Sequence, residues 1–138
     1  MKKNESVSKI MSTELTTVHD AQPVSTLRKI FEANTIHHVP VVSGETLIGI
    51  VSSNDFMRVS FGEFGNQDGK GLDAILDHTY KMHDLMTQNP TTIPRSATIR
   101  DAARVLGTAN FHALPVVDGE KLVGIVSSKD LVQYLADQ

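Results

Sequence analysis

Two segments of this sequence carry side chains suited to one piece of chemistry. Gly49-Ile50-Val51-Ser52-Ser53-Asn54-Asp55 and Gly124-Ile125-Val126-Ser127-Ser128-Lys129-Asp130 each set a hydroxyl three residues before a carboxylate, directly after an apolar run. At a helix start this spacing resembles a capping box, in which the hydroxyl accepts a backbone N–H bond worth about 1 kcal/mol and no ligand is involved. The same arrangement also suits binding. A strand ending where a helix begins aims N–H groups and a hydroxyl at an anion such as phosphate. A carboxylate one turn later can accept both hydroxyls of a ribose. Glycine ahead of the strand lets another backbone or a flat ring approach closely.

Other candidates for chemistry are weaker. Of six histidines, His37 and His38 are adjacent, so on a strand they face opposite ways. His78 and His83 lie five apart rather than the three or four that align ligands on a helix. There is no HExxH pattern and no cysteine, so thiolate metal sites, disulfides and cysteine nucleophiles are excluded and no metal site is expected. His37 and His112 suit a phosphate contact, or equally a polar place at a sheet edge. The run GNQDGKG at residues 65–71 superficially resembles a phosphate-binding loop. Its glycine spacing is one residue short, however, and Gly71 stands where Ser or Thr must meet magnesium, so it reads as a surface linker. No nucleophile elbow or dinucleotide glycine fingerprint occurs, and nothing pairs a nucleophile with a base; no catalytic residue is expected.

The two segments recur because the chain is internally duplicated. A shift of 75 positions aligns Val7–Phe56 with Met82–Leu131 without a gap, and 16 of the 50 pairs are identical. They include Pro40/Pro115, Gly44/Gly119, Gly49/Gly124 and Asp55/Asp130. Each copy is too small to fold comfortably alone, so the two are expected to pack together and share a core. In each unit, Thr16-Thr17-Val18 or Thr91-Thr92-Ile93 is a short β-prone run. Pro23–Ala33 and Thr98–Ala109 then space apolar residues as a helix with one buried face. Val39–Val42 with Leu47–Val51 forms a hairpin pattern around Ser43-Gly44-Glu45. In the second copy the turn contains Asp118-Gly119, two residues tolerant of positive φ. A second helix begins near Ser-Ser-x-Asp. The fold class is thus α+β, built of two β-α-β-β-α repeats. The boundaries are 7–60 for the first repeat, 61–81 for a glycine-containing linker with a lead-in helix around Leu72, Ile75, Leu76 and Thr79, and 82–136 for the second.

Composition sets the context. The chain has 138 residues, 40% hydrophobic and 21% charged, which suits a soluble globular protein. A net charge of −3 with a pI near 6.0 argues against nucleic acid as a partner. No apolar run reaches the roughly 20 residues of a membrane span, and no signal-peptide core follows MKKNESVSK, so a cytoplasmic protein is expected.

With x-Pro-Val-Val-x-Gly followed by Gly-Ile-Val-Ser-x-x-Asp present twice in register, the chain resembles a tandem pair of CBS (cystathionine β-synthase) domains, a Bateman module. The resemblance covers residues 7 to 56 and 82 to 131. It implies two repeats packed with pseudo-two-fold symmetry and two composite clefts for adenosine-containing ligands: AMP, ADP, ATP or S-adenosylmethionine. One cleft would use Ser52, Asn54 and Asp55 with Thr91, Thr92, Phe111, His112, Ala113 and Pro115. The other would use Ser127, Lys129 and Asp130 with Thr16, Thr17, Ile36, His37, His38 and Pro40. The resemblance further implies a homodimer, regulation of a protein partner not named by the sequence, and no required cofactor. The competing expectation is a dimerisation or scaffold module with empty clefts.

Overall fold

The computed structural model describes residues 4–33, 35–62 and 69–138. The chain divides into two compact units: Thr16–Pro90, and the residues up to Leu15 together with Thr91–Gln138. In the first, β1 (Val18–His19), α1 (Ser25–Ala33), β2 (His38–Ser43), β3 (Thr46–Ser52) and α2 (Ser53–Gly62) follow the expected order. The linker then supplies α3 (Gly69–Thr79), and the opening residues of the second repeat supply α4 (Met82–Leu85) and β4 (Thr87–Gln88). The second unit opens with a 3₁₀ turn at Val7–Lys9 and continues with β5 (Ile93–Pro94), α5 (Ile99–Thr108), β6 (Ala113–Asp118), β7 (Lys121–Ser127) and α6 (Ser128–Ala136). Helix α3 starts at Gly69, earlier than Leu72, so Gly69 and Gly71 are helical; the rest of the expected glycine loop, Gly65 included, lies outside the described residues.

The same sheet pattern is built twice. β1 pairs in parallel with β2, and β2 runs antiparallel to β3; β5, β6 and β7 repeat this. Only Val18 and Ile93 of the two threonine-led runs enter strands. Both hairpins carry a bulge at the same place, where the register steps past Ile48 and past Val123. At the turns Gly44 has φ +64° and Gly119 φ +66°. Asp118 does not share this conformation. It is the last residue of β6, and the turn asks for positive φ only at its first central residue, as in type II′.

The opening residues of each repeat, 7–15 and 82–90, belong to the unit that holds the other repeat's hairpin. β4 pairs antiparallel with β3 at Gly49 and Ile50. Correspondingly, Ser12 N–H donates to the Ile125 carbonyl (2.8 Å) and Ile125 N–H to that of Ser12 (3.0 Å). Side chains follow the backbone. A Cβ on Gly49 would lie 2.8 Å from Met86 Cγ, and one on Gly124 would lie 2.5 Å from Met11 Sδ. The glycines therefore sit within β3 and β7 rather than before them; both admit a methionine, and Gly49 also admits another backbone as expected, the Thr87 carbonyl oxygen lying 3.0 Å from such a Cβ.

Most of the buried apolar side chains among the described residues gather in two clusters, one in each unit. Val18, Val24, Leu27, Val39, Val41, Val51, Phe56 and Leu76 are joined by Met82, Leu85 and Met86 from the lead-in segment. Val7, Ile93, Ala97, Ala102, Leu106, Leu114, Val116 and Val126 form the other.

The helices that open the repeats are capped differently. Thr98 and Asp101 form a capping box on α5: Asp101 N–H donates to Thr98 Oγ1 (3.0 Å) and Thr98 N–H to Asp101 Oδ2 (2.9 Å). The first repeat has Pro23 and Thr26 at those positions and cannot make this box. Helix α3 supplies the missing acceptor. Ser25 N–H and Oγ–H donate to Asp77 Oδ1 and Oδ2 at 2.8 and 2.7 Å. One turn along, Arg28 donates from Nε and Nη2 to both oxygens of Asp73, at 2.5 and 2.7 Å, and from Nη1 to Glu32. This bidentate bond holds the Asp73 carboxyl below the usual carboxylate range, although partial burial opposes it.

Asp77→Ala should therefore cost about 1–2 kcal/mol in urea unfolding, the scale of a lost N-cap. Asp73 adds an acid signature. Its folded pKa is lowered, so its contribution is complete above about pH 4, the unfolded value, and is lost as pH falls through the folded one. Arg28→Met should flatten the fall in stability below pH 4; an unchanged acid limb would show that the pair contributes nothing.

Candidate functional site

Each Ser-x-x-Asp segment forms the hinge between a hairpin strand and a helix. Ser52 ends β3 and Ser127 ends β7, and both become helix caps. Asp55 N–H donates to Ser52 Oγ at 3.0 Å, and Asp130 N–H to Ser127 Oγ at 3.2 Å. In return Ser52 N–H donates to Asp55 Oδ2 (3.4 Å) and Ser127 N–H to Asp130 Oδ2 (2.8 Å). The capping box is thus present twice, and it commits one carboxylate oxygen of each aspartate.

The backbone preceding β2 and β6 abuts these helix starts. Ser53 N–H donates to the His37 carbonyl (2.8 Å) and Ser128 N–H to that of His112 (2.9 Å). Each unit therefore brings its own histidine residue to its own Ser–Asp pair. The groupings that the resemblance implies draw instead on residues from both units. His37 and His112 are exposed, as are Asn54 and Lys129 in the first turns of α2 and α6. His38 opens β2 half-buried, whereas Ala113 opens β6 fully buried. Pro40 and Pro115 are buried opposite Ile50 and Ile125, and Ile36 and Phe111 pack on the two clusters. Thr16, Thr17, Thr91 and Thr92 are exposed ahead of β1 and β5.

One charged neighbour escaped the sequence reading. Arg58 Nη1 lies 3.7 Å from Asp55 Oδ1. The second repeat has Gln133 there, which bonds Asp137 instead. The i, i+3 spacing was the available signal, although it is common on exposed helices. Elsewhere, His19 Nε2 accepts the Gly44 N–H at 3.0 Å, while Nδ1 stands 2.9 Å from Asp20 Oδ1. Both ring nitrogens are therefore engaged, Nε2 at the hairpin turn and Nδ1 beside Asp20. Among the described residues no three His, Asp or Glu side chains are grouped to hold a metal ion, and no helix is long and apolar enough to cross a membrane.

A family model for the CBS domain matches residues 7–62 and again 82–137. The chain belongs to the CBS-domain family. A CBS domain-containing protein of Dictyostelium discoideum is 31% identical over 134 residues, covering 94% of this chain and 90% of that one. Three relatives from Methanocaldococcus jannaschii are longer, and the chain spans 33%, 43% and 48% of them. Among solved structures, CBSX2 of Arabidopsis thaliana in complex with AMP superposes with a TM-score of 0.78 at 28% identity, covering 96% of this chain and 97% of that one. The CBS domain pair of protein MJ0100, in complex with 5′-methylthioadenosine and S-adenosyl-L-methionine, gives 0.75 at 25% identity and 96% coverage of both chains. As in that family, this CBS pair is a mixed helix–sheet protein of two repeats.

The cap and any binding role of the aspartates are separable. Asp130→Asn keeps a side-chain oxygen to accept the Ser127 N–H, and should leave urea stability nearly unchanged. Asp130→Ala removes it and should cost about 1 kcal/mol. Equal losses in both would show that the charge, not the acceptor, supports the helix.

Proposed function

We propose that this protein is a non-enzymatic, cytoplasmic regulatory module. It binds an adenosine-containing ligand (AMP, ADP, ATP or S-adenosylmethionine) and passes occupancy on as a homodimer or through a protein partner. The observation that carries this reading is the pair of helix starts in which Asp55 and Asp130 close a capping box with Oδ2 and leave Oδ1 outside it. An oxygen in that state can accept a ribose hydroxyl while the helix stays capped. The AMP complex of CBSX2 and the adenosyl complexes of the MJ0100 pair support this ligand class. In the proposed pose the Ser52 and Ser127 hydroxyls, with the Asn54 and Lys129 N–H groups that the caps leave over, meet a phosphate. Lys129, which makes no ion pair among the described residues, adds a positive charge in the second repeat. Exposed Met57 on α2 and Val132 and Leu135 on α6 support self-association through these helices.

Thermal-shift measurements with AMP, ADP, ATP and S-adenosylmethionine test the ligand class. A ligand at a hundred times its dissociation constant stabilises by about 2.7 kcal/mol. Asp55→Asn and Asp130→Asn should each weaken one site by about ten- to a hundredfold in titration calorimetry, because charge-assisted bonds to the ribose are lost. If no adenosyl compound shifts the transition, the module is a ligand-independent dimerisation scaffold. Unchanged affinity and stoichiometry in both variants would reduce the motif to a helix cap.

A further inference from the structure

We infer that Arg58 is a latch on the Asp55 site, so that the two repeats take adenosine ligands with unequal affinity and the Asp130 repeat fills first. The inference rests on the reading above, in which each aspartate receives ribose hydroxyls, and adds a control built into one repeat only.

The two aspartates are alike at Oδ2 and differ at Oδ1. Asp55 Oδ2 accepts the Ser52 N–H, and its Oδ1 faces Arg58 Nη1 at 3.7 Å. Asp130 Oδ2 accepts the Ser127 N–H at 2.8 Å, and its Oδ1 has no hydrogen-bond or ion-pair partner among the described residues. The difference traces to one position of the repeat. Residue 58 is arginine, whereas residue 133 is glutamine, whose amide nitrogen lies 3.3 and 3.5 Å from the Asp137 oxygens, away from Asp130. A ribose entering the second repeat meets an acceptor with no competing side chain. In the first repeat it must displace a guanidinium from the oxygen it needs.

The size of the effect follows from exposure. Arg58 is 77% exposed and the pair is an i, i+3 contact on a helix surface, so its loss changes affinity by about two- to fivefold, not by orders of magnitude. A displaced arginine can also swing toward a phosphate, which would mask the latch for AMP. Adenosine has the ribose and no phosphate, so it reads the latch alone.

The test is titration calorimetry of the full chain with adenosine and with AMP, for the wild type, Arg58→Gln, Arg58→Lys and Asp130→Asn. Adenosine should bind the wild type in two classes, and Asp130→Asn should weaken the tighter one about ten- to a hundredfold. Arg58→Gln, which gives the first repeat the residue of the second, should tighten the weaker class about two- to fivefold. Arg58→Lys should tighten it less, and neither variant should move the melting temperature appreciably. Two equal adenosine sites in the wild type, or a weaker class unchanged or loosened by Arg58→Gln, overturns the latch while leaving adenosine binding in place. No binding of adenosine or AMP to the wild type overturns the ligand reading and the latch together.

Discussion

A β-hairpin on its own leaves rows of unpaired N–H and C=O groups along both outer edges, and an open edge invites pairing with other chains. In this protein each hairpin has β1 or β5 along one edge. Part of the other is closed by the segment that leads into the opposite repeat: β4 on β3, and Ser12 on Ile125. Gly49 and Gly124 make this possible, because their missing side chains give Met86 and Met11 room against the strand. The methionine brings its neighbours with it. Met82 and Leu85 enter one core cluster and Val7 the other. Edge pairing, close approach and core filling thus all depend on keeping these two positions free of a side chain.

Helix starts pose the second constraint, since the first turn of every helix leaves N–H groups without intrahelical partners. Helices α2, α5 and α6 meet it locally, each with a hydroxyl and a carboxylate three residues apart. Helix α1 meets it through Asp77, which ties α3 to the first repeat and gives that helix a polar anchor beside the buried Leu76. The local solution has a functional side. A carboxylate that caps its own helix is held in one orientation before any ligand arrives, with its second oxygen pointed elsewhere.

The parts of this architecture legible in the sequence were those written in short range. The hairpins, the amphipathic helices and the capping boxes all rest on residues within a few positions of each other, and the duplication shows as one ungapped shift of 75 positions. What escaped was non-local. Met11 and Met86 are identical residues at matching places, yet nothing in their spacing says that each belongs with a glycine far along the chain. The cap from Asp77 is 52 residues from Ser25, and its only trace was the loss of Thr and Asp at Pro23 and Thr26. At the site, the serines and aspartates were readable as caps, and the closeness of His37 and His112 to their own helix starts was not. Arg58 was visible but looked like any surface arginine, because its meaning depends on which oxygen of Asp55 the cap leaves over.

The exchange of lead-in segments puts the period of the sequence out of phase with the unit that folds. Thr16–Pro90 is one continuous stretch and contains every residue of its own core cluster. Its counterpart is split, and Val7 and Ser12 must wait for partners near residues 97 and 125. Closing so long a loop adds entropic cost that rises only with the logarithm of its length, but it delays contacts until late in synthesis. On a chain emerging from its N-terminal side, Thr16–Pro90 is complete first, while Val7 and Ser12, made before it, are placed after it.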